Sequence, residues 1–230
     1  MALYAIGDLH LSLASNKPMD VFGAGWTNYV ERIREGFSAL TEADVTVLCG
    51  DLSWAMGLEE SLEDFRFIDA LPGRKYIIKG NHDYWWNTAS KMKKFFEANG
   101  LTTLEVMHNN CFLYGDVALC GTRGWFYEED AAAGSHNDKV LQRELGRLET
   151  SLKAAGEREK ICFLHYPPLY HGYRCEEVLK LLKQYDVRRC CYGHLHGPSH
   201  RLAVRGAAEG IEFTMVSADY LSFVPKKIAD

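Results

Sequence analysis

Polar side chains able to bind a metal ion or carry a proton follow five separate apolar segments of the chain. Asparagine and aspartate offer oxygen ligands, whereas histidine offers a nitrogen ligand or a proton carrier near neutral pH. Five of the nine histidines of the chain occur at these positions. A mixture of imidazole and carboxylate favours divalent manganese, iron or zinc. The candidate metal ligands are Asp8, His10, Asp51, Asn81, His165, His194 and His196.

This ligand set is too large for one tetrahedral ion. It suits two divalent ions, provided that one carboxylate bridges them and water fills the open positions. Two such ions lie about 3.5–4 Å apart and lower the pKa of the water between them to roughly 7. Two divalent ions, two carboxylates and a bridging hydroxide leave a local charge of about +1. That charge would attract a phosphate group, although the whole chain carries a net charge of -5.

Each group of candidates stands at the end of a predicted strand. An apolar run that stops at a glycine, such as Tyr76–Ile78 before Lys79 and Gly80, indicates a buried strand that feeds a tight turn. Open α/β sheets bind ligands at the carboxyl ends of their strands, so we expect the candidates to meet at one edge. The strands that precede them are predicted at Leu3–Ile6, Val45–Cys49, Tyr76–Ile78, Ile161–Leu164 and Arg189–Tyr192.

Segments with helical spacing of apolar residues alternate with these strands. They cover Trp26–Leu40, Leu58–Leu71, Asn87–Ala98, Asn137–Ala155 and Glu176–Tyr185. The β-α-β-α-β-α order of the first half predicts a parallel sheet with crossover helices. Further strands are predicted at Leu104–Met107, Cys111–Tyr114 and Val117–Cys120, as an antiparallel meander, and at Leu202–Val204 and Ile211–Val216. With no repeat, low-complexity tract or linker, residues 1–230 are expected to form one domain.

The composition narrows the class of protein. A hydrophobic content of 47% and a charged content of 25% are ordinary for a soluble globular protein. No run of basic residues is present, so a nucleic acid is not an expected partner; a small phosphorylated substrate is. No segment has the length of a membrane span, and the first residues lack the regions of a signal peptide. The seven scattered cysteines predict reduced core packing in the cytoplasm, whereas no sequence feature assigns an oligomeric state.

The polar segments resemble, in order, the five motifs of the calcineurin-like metallophosphoesterases. These segments are Asp8-Leu9-His10, Gly50-Asp51, Gly80-Asn81-His82-Asp83, His165 and Gly193-His194-Leu195-His196. The resemblance spans nearly the whole chain and implies an α/β fold of two packed mixed β-sheets flanked by helices. It implies hydrolysis of a phosphate mono- or diester by a metal-bridging hydroxide. It also implies one metal ion on Asp8, His10, Asp51 and His196, and another on Asp51, Asn81, His165 and His194.

By the same resemblance His82 binds no metal ion and lies near the leaving-group oxygen, as a general acid or an electrostatic stabiliser. Many family members continue the second motif as Gly-Asp-x-x-Asp, but Trp54 stands at the last position here. Asp83 is therefore the candidate to orient His82. In protein phosphatases an arginine follows the last aspartate of this second motif. That arginine is also absent here, which argues against the protein phosphatases.

Arg123, just after a predicted strand, is a further catalytic candidate because a guanidinium can fork onto a phosphate. A surface arginine without function is the alternative. The loops Ser12–Gly25 and Phe126–His136 are long enough to act as lids. Two other functions remain open: a metal-binding scaffold of the same fold without catalysis, and a nuclease on duplex DNA.

Overall fold

The structure, a computed structural model, describes residues 1–15, 17–125 and 134–230. The predicted lid Phe126–His136 therefore lies largely outside the described residues. The helices are α1 (Tyr29–Phe37), α2 (Leu62–Asp69), α3 (Ala89–Ala98), α4 (Gly134–Ala154) and α5 (Glu176–Gln184). The strands are β1 (Leu3–Ile6), β2 (Val45–Leu48), β3 (Arg74–Ile77), β4 (Leu104–Val106), β5 (Cys111–Tyr114), β6 (Val117–Thr122), β7 (Lys160–Leu164), β8 (Leu169–Tyr170), β9 (Tyr173–Arg174), β10 (Arg189–Tyr192), β11 (Gly206–Ala208), β12 (Ile211–Met215) and β13 (Lys226–Ala229).

Two mixed sheets contain most of the strands. The first has five strands in the order β13-β1-β2-β3-β4, and only β13 runs antiparallel to its neighbour. The second has six strands in the order β11-β12-β10-β7-β6-β5. Its four central strands are parallel, and β11 and β5 are antiparallel edge strands. The short strands β8 and β9 form a separate ribbon.

Three apolar cores fix the order of the layers. One core joins the first sheet to α1, α2 and α3, with Ile33, Phe65 and Phe96 pointing inward. A second joins the other sheet to α4 and α5. The third lies between the sheets, where Val47 of β2 meets Phe163 of β7 in one cluster. The fold is therefore a sandwich of two mixed sheets flanked by helices, as the family resemblance implies.

The predicted three-stranded meander is wrong in one respect. β5 and β6 do form an antiparallel hairpin, but β4 pairs in parallel with β3 in the other sheet. Leu104 packs into the core beneath the helices of the first sheet, which fixes β4 at that edge. The turn at Asn109, whose φ of 61° is left-handed, thus carries the chain from one sheet to the other instead of closing a hairpin.

The last part of the chain also differs from expectation. Leu202–Val204 is not a strand, because Leu202 ends a 3₁₀ helix over Gly197–Leu202 and only Ala203 makes an isolated bridge, to Tyr170. The strand β13 has no alternation of apolar and polar residues, so the sequence does not predict it. Its two lysines are exposed on the edge of the first sheet, where charge discourages pairing with another chain.

The cysteines pack as expected. All seven are free, and all except Cys111 are buried. Among the described residues, no helix combines the length and the hydropathy that crossing a bilayer requires.

Candidate metal centre

The seven predicted ligands lie together at one edge of the sandwich. Five of the parallel strands, β1, β2, β3, β7 and β10, end there, and each ligand comes within about four residues of a strand end. The first sheet supplies Asp8, His10, Asp51 and Asn81, and the second supplies His165, His194 and His196. Because both sheets contribute, the site exists only when they are packed face to face.

One group of ligand atoms is formed by Asp8, His10 and His196. The two histidines face each other with their Nε2 atoms 3.2 Å apart. His196 Nε2 is 3.5 Å from Asp8 Oδ1. The Asp8 carboxylate is wholly buried and also accepts the backbone N–H of His194, at 2.9 Å. Three ligand atoms thus converge on one point.

A second group is formed by Asn81, His165 and His194. The amide oxygen of Asn81 lies 2.6 Å from His165 Nε2 and 3.1 Å from His194 Nδ1. The other ring nitrogen of His165 is 3.0 Å from the carbonyl oxygen of Cys49. A proton on that nitrogen would be donated to the carbonyl, which leaves the Nε2 lone pair free for a cation.

Asp51 lies between the two groups. Its Oδ2 atom is 3.9 Å from His10 Nε2 on one side and 3.5 Å from His165 Nε2 on the other. Its Oδ1 atom accepts the backbone N–H of His82 at 2.8 Å, which fixes the orientation of the carboxylate. A single oxygen of Asp51 is therefore placed to contact a cation in either group.

Backbone strain marks the same residues. A positive φ is uncommon for residues other than glycine and persists only where the surrounding structure enforces it. Four of the seven candidate ligands have one, namely Asp8 (59°), His10 (47°), Asp51 (52°) and His194 (73°). Residues in turns elsewhere, such as Asn109 and Asp186, also have a positive φ, but at these four ligands the conformation aims side chains at one point, as is found at functional sites.

Two glycines allow the carboxylates to come close to neighbouring loops. A Cβ atom on Gly80 would lie 2.0 Å from Asp51 Oδ1, and one on Gly193 would lie 2.5 Å from Asp8 Oδ2. Neither distance is compatible with a side chain. The glycines of the third and fifth motifs are thus explained by contact with the candidate ligands.

Most of the histidines in the site are electrically neutral. Burial lowers the pKa of His194 to about 3 and the pKa of His82 to about 4, and His165 adds to both effects. Burial also lowers the pKa values of His10 and His165. Neutral imidazoles have free lone pairs, which is the form that binds metal ions.

Two groups hold protons that a cation would displace. Burial and the neighbouring Asp8 raise the pKa of Asp51 to about 8. Burial lowers the pKa of His196, but Asp8 and a hydrogen bond to Asp219 raise it by more, so that the resulting pKa is about 10. Burial likewise raises the pKa of Asp8, yet His196, His165 and His10 outweigh it and hold this carboxyl ionised, with a pKa well below its usual range. Oxygen and imidazole donors at these distances fit divalent cations.

Asp219 is a site residue that the sequence does not reveal. Its Oδ1 atom is 3.0 Å from His196 Nδ1, and its Oδ2 atom accepts the backbone N–H of Gly197 at 2.9 Å. The carboxylate therefore orients the ring so that Nε2 faces Asp8. Asp219 follows β12, and no motif or spacing connects it with the other candidates.

His82 lies beside the two groups, and one of its ring nitrogens has no hydrogen-bond partner in the described part of the chain. Its Nδ1 atom is buried, and no described residue accepts or donates a hydrogen bond there. Trp54, which occupies the position of the family's second aspartate, packs 4.5 Å from the His82 ring and stacks on His10 at 5.0 Å. An aromatic wall thus stands where a carboxylate would have oriented the imidazole.

Asp83 does not orient His82 as the sequence hypothesis supposed. The carboxylate is fully buried and accepts the backbone N–H groups of Gly80, Asp51 and Leu52 at 2.7, 2.9 and 2.8 Å. The backbone N–H of Ser53, at 3.4 Å, and the indole N–H of Trp85, at 3.0 Å, also donate to it. The side chain is occupied in fixing the loop that carries Asp51, so its role is to position that ligand.

Arg123 lies beside the site and is largely buried. Its guanidinium is 3.3 Å from Glu144 and lies over the Trp125 ring at 5.1 Å. Its carbonyl oxygen accepts the backbone N–H of His165 at 3.2 Å. The residue is therefore not the surface arginine of the alternative interpretation, and its contact with the reacting phosphate stays a prediction.

Comparison with known proteins bears first on the fold. No curated protein matches the sequence. Among solved structures, the phosphopantetheinyl hydrolase PptH from Mycobacterium tuberculosis has a TM-score of 0.58 at 14% identity, over 99% of this chain and 95% of that one. The protein TT1561 of Thermus thermophilus has a TM-score of 0.51 at 13% identity, over 99% of this chain and 97% of that one. At these identities the likeness shows the fold alone.

Comparison with models of protein families identifies the family of the chain. The model described as calcineurin-like phosphoesterase matches residues 1–198, which include all seven candidate ligands and His82. The chain belongs to the calcineurin-like phosphoesterase family.

Proposed function

We propose that the protein is a dinuclear metal-dependent phosphohydrolase that cleaves a phosphate mono- or diester. The position of Asp51 Oδ2 between two groups of largely neutral ligands carries this proposal. Asp8, His10 and His196 would hold one cation, and Asn81, His165 and His194 the other. Manganese, iron and zinc all fit these donors.

A pair of divalent cations at these ligands supplies an activated water and neutralises charge on the phosphate. The protein contributes only two carboxylates to the pair, Asp8 and Asp51, while Asn81 and the imidazoles are neutral when they ligate. The loaded site therefore keeps an excess of positive charge in a chain whose net charge is -5. That excess attracts an anionic ester to this edge and away from the rest of the surface.

His82 would act on the substrate as a neutral imidazole. Burial lowers its pKa to about 4 before any cation is bound, and nearby cations would lower it further. A neutral ring cannot deliver a proton as an imidazolium does, but its N–H can donate a hydrogen bond to a phosphoryl or leaving-group oxygen. We therefore assign His82 to electrostatic stabilisation, and general acid catalysis is the alternative.

Metal analysis followed by kinetics tests the proposal. The purified protein should bind two manganese ions and hydrolyse 4-nitrophenyl phosphate or bis(4-nitrophenyl) phosphate. Asp51→Asn should lose both ions and at least about 100-fold of turnover, whereas Asp116→Asn, in the exposed β5–β6 turn, should behave as wild type. Two bound ions without hydrolysis of either ester would favour the scaffold. Cleavage of duplex DNA in preference to both esters would favour the nuclease.

A further inference from the structure

A small cavity adjoins the candidate metal centre and is not explained by it. Its volume is about 70 Å³, well below the ~300–1,000 Å³ of a typical ligand pocket but large enough for one oxyanion group. It opens between the loop after β3 and the loop after β6. The lining residues are Lys79, Trp86, Met107, His108, Thr122, Arg123, Glu144 and Arg147.

The lining carries three cationic side chains against a single carboxylate. Glu144 is nearly inaccessible, and its two oxygens are already used. Oε1 contacts the guanidinium groups of Arg123 and Arg147, and Oε2 accepts the Thr122 hydroxyl at 3.0 Å. Both oxygens of Glu144 are thus in contact with other groups, and within the described residues the Lys79 amine has no ion pair or hydrogen bond. The cavity therefore has an excess of positive charge in a chain whose net charge is negative.

A donor without an acceptor points to the same conclusion. The Nε atom of Arg123 is buried and has no hydrogen-bond partner in the described part of the chain. Leaving a buried N–H unpaired is costly, and structures retain such groups where a ligand or water completes them. An acceptor with several oxygens would satisfy Arg123 Nε and Lys79 together.

Two residues that line the cavity are linked to the segments that carry the second group of metal ligands. Lys79 precedes Asn81 by two residues, so their Cα atoms are at most about 7 Å apart. The carbonyl oxygen of Arg123 accepts the backbone N–H groups of His165 and Tyr166, at 3.2 and 2.9 Å. A molecule long enough to span the two would place one group at the metal centre and another in the cavity.

We propose that the cavity binds a second phosphate group of the same substrate whose first phosphate is cleaved at the metal centre. Arginine forks and an ammonium match the tetrahedral oxygens of a phosphate. This inference rests on the proposed function, since the substrate is taken to be a phosphate ester. It assigns Arg123 to the second phosphate and not to the reacting one.

The first experiment locates the oxyanion. Crystals of the metal-loaded protein soaked in selenate, whose selenium scatters anomalously, should show a selenium peak between Arg123 and Arg147 and apart from the metal ions. Arg147→Gln should lose this peak. Arg143→Gln, an exposed arginine one turn earlier on α4, should keep it. A wild-type cavity without selenium overturns the proposal, whatever occupies the metal centre.

The second experiment measures the substrate. Alkanediol bisphosphates of increasing length are compared with alkyl monophosphates of the same length. At the length that spans the two sites, kcat/KM for the bisphosphate should exceed that for the monophosphate by about tenfold or more, because a charged hydrogen bond is gained. Arg147→Gln should bring this ratio close to one, Arg147→Lys should restore part of it, and Arg143→Gln should leave it unchanged.

A wild-type ratio near one at every length overturns the assignment of a second phosphate. The two proposals fail in different ways. If neither series and neither 4-nitrophenyl ester is hydrolysed, the proposed function is wrong, while the selenate position still decides whether the cavity binds an oxyanion.

Discussion

At the scale of single residues, the acidic side chains around the candidate centre have separate roles. Asp8 and Asp51 present oxygens to the two ligand groups. Asp219 contacts no other candidate ligand than His196 and determines which ring nitrogen faces the centre. Such partners of ligating histidines fix the tautomer and increase the basicity of the ligand. Asp219 should therefore influence metal affinity without touching the metal ion.

The first prediction concerns that hydrogen bond. Asp219→Asn should weaken manganese binding by about 10–100-fold, because an amide cannot accept from both His196 Nδ1 and the Gly197 N–H as the carboxylate does. Calorimetric titration of the metal-free protein measures the dissociation constant. Asp116→Asn provides a control of the same chemistry at an exposed turn. Equal affinities of wild type and Asp219→Asn would remove the positioning role.

The second prediction separates the two possible roles of His82. His82→Ala should keep both metal ions and lower kcat by about 100-fold or more. Since burial holds the pKa of this imidazole near 4, the loss should be similar for 4-nitrophenyl phosphate and for phenyl phosphate, whose leaving group is poorer. His171→Ala, at an exposed position, is the control. A much larger loss with phenyl phosphate would instead establish a general acid.

At the scale of elements, the loop after β3 fixes the loop after β2. The Asp83 carboxylate accepts three backbone N–H groups from the Asp51 loop and one from Gly80 of its own loop. Hydrogen bonds to a buried charge are among the stronger ones, at about 1.5–3 kcal/mol each. Asp51 has a strained φ of 52°, and this contact between neighbouring loops keeps its loop in place.

The third prediction tests that contact. Asp83→Asn should lower the free energy of unfolding by about 3 kcal/mol and also weaken manganese binding, because the new amide faces N–H donors. Asp44→Asn is the matched control. Asp44 is a buried carboxylate that accepts the backbone N–H groups of Ala2 and Thr41. It lies where β1 and β2 begin, at the end of these strands away from the metal centre. The Asp44→Asn variant should have a lower free energy of unfolding but bind manganese like wild type. If both variants bind manganese like wild type, Asp83 has only a structural role.

At the scale of the whole molecule, the candidate centre joins the two sheets. The first sheet supplies Asp8, His10, Asp51 and Asn81, and the second supplies the other three histidines. Cations bound there would connect the layers, and a ligand that binds only the folded state stabilises it by mass action. Manganese should therefore raise the melting temperature of the metal-free protein.

The fourth prediction follows from the protons held by the unloaded centre. Asp51, with a pKa raised to about 8, and His196, with a pKa raised to about 10, must both be deprotonated to ligate. The pKa values of His10, His165 and His194 are lowered, so these residues release nothing at neutral pH. Metal affinity should thus rise steeply with pH up to about 8 and less steeply up to about 10.

Titrations in buffers of different ionisation enthalpy count the protons, and roughly two should be released at pH 7 when both sites fill. The sign also bears on stability without metal. A carboxyl group with a raised pKa destabilises the fold as it ionises, and the stabilisation from protonated His196 is lost as the pH rises from about 6.5 to about 10. A metal affinity that does not change between about pH 6.5 and about pH 10 would contradict the assigned protonation states.

The sequence by itself determined the strands that end in the candidate ligands, the alternating helices and the family motifs. Apolar runs stopped by glycine are local signals, and the rule that parallel strands end at a common edge extends them to a shared site. The side chains named on this basis, from Asp8 to His196, do lie together. The same reasoning placed His82 beside them.

Only the tertiary structure decided the remaining features, because each depends on contacts between segments far apart in the chain. Pairing with β3 put β4 in the first sheet, although the local turn signal favours a meander. Packing brought Asp219 to His196, turned Asp83 toward the backbone of another loop, and enclosed Arg123 with Glu144 and Lys79 around a cavity. Hydrogen-bond partners and buried charge are set by burial and distance, which residue order does not encode locally.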